Sequence, residues 1–234
     1  MKLKALFLSL ICAVAVSVFS SCNSDSDDNT QMYANIVTLA ATNEQGTIFT
    51  FREDGDKPLI TLTSTVKIST EMFKVGSRVL LHYYSNVPAG QSGAIQVIGL
   101  SNILGGGAKA VEATAAETQD WSSENISMQF LYRSGEYIDL AFVTNAGGNV
   151  SDSMKFYVDK NTLNSDYPEF YIVMKRSGVS AGNNALYYAS YSIGNVWNLP
   201  NVHGVKIHMP DSNQANRIVT IEKSNAIKPV EPAE

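Results

Sequence analysis

The chain has 234 residues, with 22 acidic against 17 Lys and Arg side chains, a formal net charge of −5, and 44% hydrophobic residues. That acidic balance argues against non-specific nucleic-acid binding, which works by neutralising phosphates with Lys and Arg. Two cysteines are too few for a disulfide-stapled scaffold, and the length is natural for two domains.

Residues 1–21 read as an export signal, because Lys2 and Lys4 precede an apolar run from Ala5 to Phe19. The run is about 15 residues, whereas a helix that spans a bilayer needs roughly 20. Val18-Phe19-Ser20-Ser21-Cys22 resembles a bacterial lipobox with Phe19 in place of the usual leucine. In that reading Cys22 becomes the first mature residue, its sulfur carries a diacylglyceryl group, and the protein is anchored to the membrane through it. Several acyl chains on one residue give lasting residence, where a single chain is marginal. Cys12 falls within the removed segment, so the mature chain is expected to have no disulfide and no cysteine metal site. Cleavage also removes two lysines, which takes the formal charge from −5 to −7.

Residues 22–31 form an acidic tether. The stretch Asn23 to Gln31 (NSDSDDNTQ) carries no apolar side chain and can bury nothing. Serine and aspartate just after the cysteine, at Ser24 and Asp25, resemble the signal that sends Bacteroidota lipoproteins to the outer face of the outer membrane. The plainer alternative is a solvated spacer without an address.

Strand patterns follow at 34–39, 47–51, 59–68, 78–84 and 94–103, with Glu44-Gln45-Gly46 and Asp54-Gly55-Asp56 as turn signals. Five strands, with room for one helical turn at 69–73, predict a small OB-like five-stranded barrel over 32–104. Gly105-Gly106-Gly107 then opens an expected linker over 105–120. These glycines lack the spacing and the following Lys-Ser/Thr of a phosphate-binding loop.

Seven β-rich runs come next, at 126–133, 137–144, 154–159, 170–175, 186–192, 205–209 and 217–223. Met128, Phe130 and Tyr132 share one parity, as do Ile138, Leu140 and Phe142, and again Phe170, Ile172 and Met174. Alternation of this kind buries one face of each strand against a second sheet. The prediction for 121–225 is therefore an immunoglobulin-sized β-sandwich, with 226–234 as a flexible tail. The fold class is all-β.

Three local features of this half bear on function. Asp152-Ser153-Met154 resembles the acceptor motif for O-glycosylation of exported Bacteroidota proteins and follows the turn-like NAGGNVS, which makes Ser153 a glycosylation candidate. The run YYASYSIGNVWNLPN places Tyr188, Asn195, Trp197 and Asn198 close in sequence, and rings beside amides suit stacking on a sugar or anchoring a protein or peptide. The alternative is that these rings close the end of the sandwich. His203 and His208 in NVHGVKIHM fall on opposite parities, so they do not readily share a metal.

The lipobox together with MYANIVTLAATNEQGTIFTFREDG, FKVGSRVLLHYYSNVPAG and AIQVIGLSNIL resembles the NigD-like family of Bacteroidota lipoproteins. Ser77 stands where that family more often carries an acid. The resemblance is clearest from 33 to 104. It implies an N-terminal OB-type barrel joined to a C-terminal β-sandwich. It also implies bacteriocin-associated or immunity-related roles and supplies no catalytic residues. With three histidines and no free mature thiol, nucleophile-plus-base arrangements are scarce. The expectation is a surface-exposed, outer-membrane, non-catalytic binding module with no cofactor, no metal and no nucleic-acid partner. A cell-surface glycan-binding lipoprotein and a carboxylate-dependent hydrolase are the alternatives.

Overall fold

The computed structural model describes residues 30–114, 121, 126–145, 154–175 and 183–223. Cys22, the signal segment, most of the tether, Ser153 and the C-terminal tail lie outside the described residues. The architecture is all-β.

The first unit is one rolled sheet. Its strands are β1 (Gln31–Asn43), β2 (Gly46–Phe51), β3 (Ile60–Ser64), β4 (Arg78–Ser85), β5 (Gly93–Ala94) and β6 (Gln96–Asn102), in the spatial order β5-β3-β2-β1-β4-β6. Alternate residues point inward. Val37, Leu39, Phe49, Phe51, Ile60, Leu62, Val79, Leu81 and Tyr83 form the core. Phe73 packs against this core at the one-turn segment expected between β3 and β4, where its N–H donates to Ser69 O at 3.1 Å.

The two edge strands β5 and β6 are consecutive in the chain, with Ile95 alone between them, so the sheet curls until one segment serves both edges. On its edge away from β2, β3 is met by Gly93, Ala94, the Ser92 hydroxyl, which accepts from the Thr61 N–H at 2.9 Å, and the Ile95 N–H, which donates to Thr63 O at 2.8 Å. The seam is short, so the sheet forms a partly open ring and not a closed barrel. A partly open barrel is usual for this strand order.

The second unit is a two-layer sandwich. One sheet runs β7-β13-β10-β9, from β7 (Leu104–Gly107), β9 (Ser127–Ser134), β10 (Tyr137–Asn145) and β13 (Asn184–Ser192). The other runs β15-β14-β12-β11-β8, from β8 (Lys109–Val111), β11 (Met154–Asp159), β12 (Glu169–Met174), β14 (Gly204–Asp211) and β15 (Gln214–Glu222). Ile138, Leu140, Phe142, Phe156, Phe170, Ile172, Met174, Ala189, Tyr191 and Ile207 are packed between the sheets.

Two expectations are corrected here. The glycine run is no spacer: Leu104–Gly107 pairs in parallel with β13, and after Ala108 the chain switches to the opposite sheet, where Lys109–Val111 pairs with β11. Residues 104–111 thus close one edge of the sandwich. Glycine suits the position because a Cβ at Gly105 would lie 2.5 Å from Ser190 O. Gly105→Ala is expected to cost about 1–3 kcal/mol by forcing the strands apart, read as a lower midpoint in thermal denaturation. A true linker glycine would show no change.

The second correction concerns β9. Its register against β10 shifts between Ala141 and Phe142, a bulge that reverses the parity. Met128 stays inside, Phe130 turns outward at 37% exposure, and Arg133 turns inward at 3%.

The two units are bolted together. Arg78 on β4 forms an ion pair with Asp139 on β10, and its Nε donates to Ser190 Oγ at 3.0 Å. A second contact joins the turn after β2 to the β9–β10 turn. Ser134 Oγ donates to Arg52 O at 2.8 Å, and Arg133 Nη2 meets Asp56 Oδ2 at 2.6 Å. That hydrogen bond with Arg133 leads the causes that hold the Asp56 carboxyl below its ordinary value.

Candidate functional site

The outer face of the five-stranded sheet carries a row of rings that the strand registers align. Lys109 lies beside Tyr157, Tyr157 opposite Tyr171, Tyr171 beside His208, and His208 opposite Ile218, so one line crosses β8, β11, β12, β14 and β15. The local cause is visible in the sequence of two strands. Phe156-Tyr157 and Phe170-Tyr171 each send phenylalanine into the core and tyrosine outward, since successive side chains of a strand point to opposite faces.

Trp121 joins this row from outside the sheet. Its ring stacks on Tyr157 with centroids 5.2 Å apart and planes 6° from parallel, and it leans against Tyr171 at 4.9 Å and 56°. Tyr171 in turn stacks on the His208 imidazole at 4.4 Å and 12°. All four rings are half-buried. Pairs in these geometries contribute about 0.5–1.5 kcal/mol each beyond their buried area.

Glu169, two residues before Tyr171 on the same face, organises the polar edge of the row. Its Oε2 accepts from the Tyr171 hydroxyl at 3.0 Å and lies 3.0 Å from His208 Nε2, while Oε1 is 3.9 Å from Lys206 Nζ. Burial, aided by the hydrogen bond to Glu169, pushes the Tyr171 phenol up to about 12. At neutral pH it is therefore a hydrogen-bond donor. The carboxylate is engaged by its neighbours and serves to orient them. The arrangement suits stacking and hydrogen bonding with a bound molecule.

The residues chosen from sequence fall elsewhere. Trp197 is 5% exposed and belongs to the sandwich core, with the Arg133 guanidinium 4.1 Å and the Lys223 ammonium 5.4 Å from its ring centre. Asn195 and Asn198 are exposed on and after the single-turn helix Gly194–Trp197, and Asn198 Nδ2 donates to Glu136 Oε1 at 2.7 Å. Tyr188 is half-buried on the outer face of the other sheet, 6.3 Å from Phe130. These four do not assemble into one surface. His203 and His208 have separate partners, Asp166 at 3.6 Å and Glu169. Among the described residues, no three His, Cys, Asp or Glu side chains gather as a metal site. No helix among them is long and apolar enough to cross a membrane. Cys22 and Ser153 lie outside the described residues.

No family model and no curated protein sequence matches the chain. Solved structures do. A protein of unknown function from Bacteroides vulgatus superposes with a TM-score of 0.59 at 12% identity, over 84% of this chain and 92% of that one. A NigD-like immunity protein from Bacteroides caccae gives 0.51 at 11% identity, over 81% and 91%. A protein assigned as a lipoprotein from Bacteroides fragilis gives 0.51 at 14% identity, over 84% and 100%. The chain shares its fold with these proteins, the NigD-like one included.

Proposed function

We propose that the protein is a lipid-anchored, non-catalytic binding module, held through Cys22 at the outer face of the outer membrane. Its ligand docks on the ring row of the sandwich. The observation that carries the binding role is that Trp121, Tyr157, Tyr171 and His208 stand as one half-open aromatic row on an outward sheet face. Large apolar side chains on a solvent-facing surface mark interaction sites more often than chance exposure does. The anchor rests on the lipobox resemblance, and the fold likeness to a protein assigned as a lipoprotein supports it. An immunity-related role is the reading that the NigD-like resemblance favours, and it is compatible with a module that binds and does not cleave.

Metabolic labelling with a fatty-acid probe tests the anchor. The wild-type chain is expected to take up label and Cys22→Ala to lose it. Protease added to whole cells is expected to remove the wild-type protein. Equal labelling of the alanine variant contradicts lipidation, and complete protection in intact cells contradicts surface display.

A further inference from the structure

We infer that the ring row is a docking face for an acidic saccharide, with Lys109 and Lys155 as the carboxylate-binding pair. This rests on the reading of the row as the binding surface and adds the chemistry of the ligand. The first observation is the sign of the charge on this face. Lys109 sits directly alongside Tyr157 in the β8–β11 ladder, and Lys155 lies two residues before Tyr157 on the same face of β11. Both are exposed, and neither has an ion-pair partner among the described residues. Lys206, two residues before His208 on β14, adds a third ammonium that is 42% exposed and only loosely held by Glu169 at 3.9 Å. Among the described residues, the acids on or beside this face are Glu169, Asp159, Glu222 and Glu112, the last exposed one position past β8. Glu169 is held by Tyr171 and His208, Asp159 is buried and accepts from the Ala113 and Asn161 N–H groups, and Glu222 stands near the C-terminal end of β15. Lys109, Lys155 and Lys206 thus place a strip of ammonium groups beside the outward rings of a chain whose net charge is −5.

The second observation is geometric. Adjacent strands are about 4.8 Å apart and alternate residues of one strand about 6.6 Å apart, so both lysines stand beside Tyr157, at one end of the ring row. A pyranose laid against an aromatic ring presents its apolar C–H face to the π cloud, and its carboxylate projects from the ring edge. The spacing here matches that division between a stacking surface and flanking cations. A nucleic-acid strand would need a run of cations matching successive phosphates, whereas this strip has two free lysines on one side of the rings.

The test uses the full-length protein extracted from membranes in detergent. The probes are oligogalacturonate, neutral oligogalactose of the same length, poly-glutamate and single-stranded oligothymidylate. Trp121 reports binding by fluorescence, since Trp197 is buried. Oligogalacturonate is expected to change that fluorescence in the wild type and to give no change in Trp121→Phe. Its affinity should fall at least about tenfold in Lys109→Gln/Lys155→Gln, as charge-assisted hydrogen bonds of this kind account for such a loss, and should weaken with added salt. Neutral oligogalactose that binds equally well, with no effect of the lysine substitutions, overturns the acidic-ligand inference while the ring-row reading stands. Binding of poly-glutamate or oligothymidylate without either saccharide overturns the saccharide assignment. If no probe binds and calorimetry agrees, the saccharide inference fails. The ring-row reading fails separately if the Trp121→Phe and Tyr157→Leu variants retain full binding of a probe that the wild type binds.

Discussion

Asp139→Ala is expected to destabilise the folded chain by about 3–5 kcal/mol, the range for removing one partner of a buried ion pair. Asp139 is fully buried on β10, where it accepts from Ser190 Oγ at 2.6 Å and pairs with Arg78. Arg78 is itself only 8% exposed by side chain and also donates to Ser190 Oγ and Thr38 Oγ1. Burial pushes the Asp139 carboxyl above its ordinary value, and the Arg78 charge and the Ser190 and Arg78 hydrogen bonds pull against that. Truncating Asp139 leaves the guanidinium buried without a counter-charge, which costs more than the pair contributes. The double variant Arg78→Met/Asp139→Leu is therefore expected to lose much less than the sum of the single losses. Chemical denaturation of the wild type, Asp139→Ala, Arg78→Met, Asp139→Leu and the double variant measures this directly. A loss below about 1 kcal/mol in Asp139→Ala would show that the interface between the units does not depend on the pair.

Trp197→Ala is expected to cost about 3–5 kcal/mol, as for other buried large-to-small changes. The side chain fills the end of the sandwich, held by a single helical turn in which its N–H donates to Ile193 O at 2.8 Å. Its removal opens a cavity and strips the π face from Arg133, whose Nε has no hydrogen-bond partner. A cation over a desolvated indole is worth roughly 2 kcal/mol or more, and Trp197→Phe should retain part of that contact. Urea denaturation gives the stability loss. Oligogalacturonate binding below the unfolding transition is expected to be unchanged, because the ring row lies on the outer face of the five-stranded sheet. A binding loss in a fully folded Trp197→Ala protein would place the ligand at the Trp197 end of the sandwich and not on the ring row.

The two candidate surfaces differ in how readily a sequence displays them. Tyr187, Tyr188, Tyr191 and Trp197 cluster along the chain, and proximity in sequence makes them look like one surface. Folding separates them: Tyr191 and Trp197 enter the core, and Tyr188 faces outward on a different sheet. Trp121, Tyr157, Tyr171 and His208 are spread over nearly ninety positions and meet only through two strand registers and the off-sheet contacts of Trp121. The repeated Phe-Tyr of β11 and β12 was the available signal, because strand alternation sends one ring of each pair outward.

Much of the architecture follows from local rules that a sequence displays. The inward parity of Val79, Leu81 and Tyr83 and of Ile138, Leu140 and Phe142, and the turns at Gly46 and Gly135, depend on residues within a few positions of one another. What only the tertiary structure decided is which strands pair, and in which register. The glycine run at 104–107 became an edge strand because β13 offered it a partner. The bulge in β9 moved Phe130 outward and carried Arg133 into the sandwich end over Trp197. Arg78 found its counter-charge 61 residues away in another unit. Each of these contacts joins segments far apart in the chain, and no local periodicity encodes which distant segment will supply the partner.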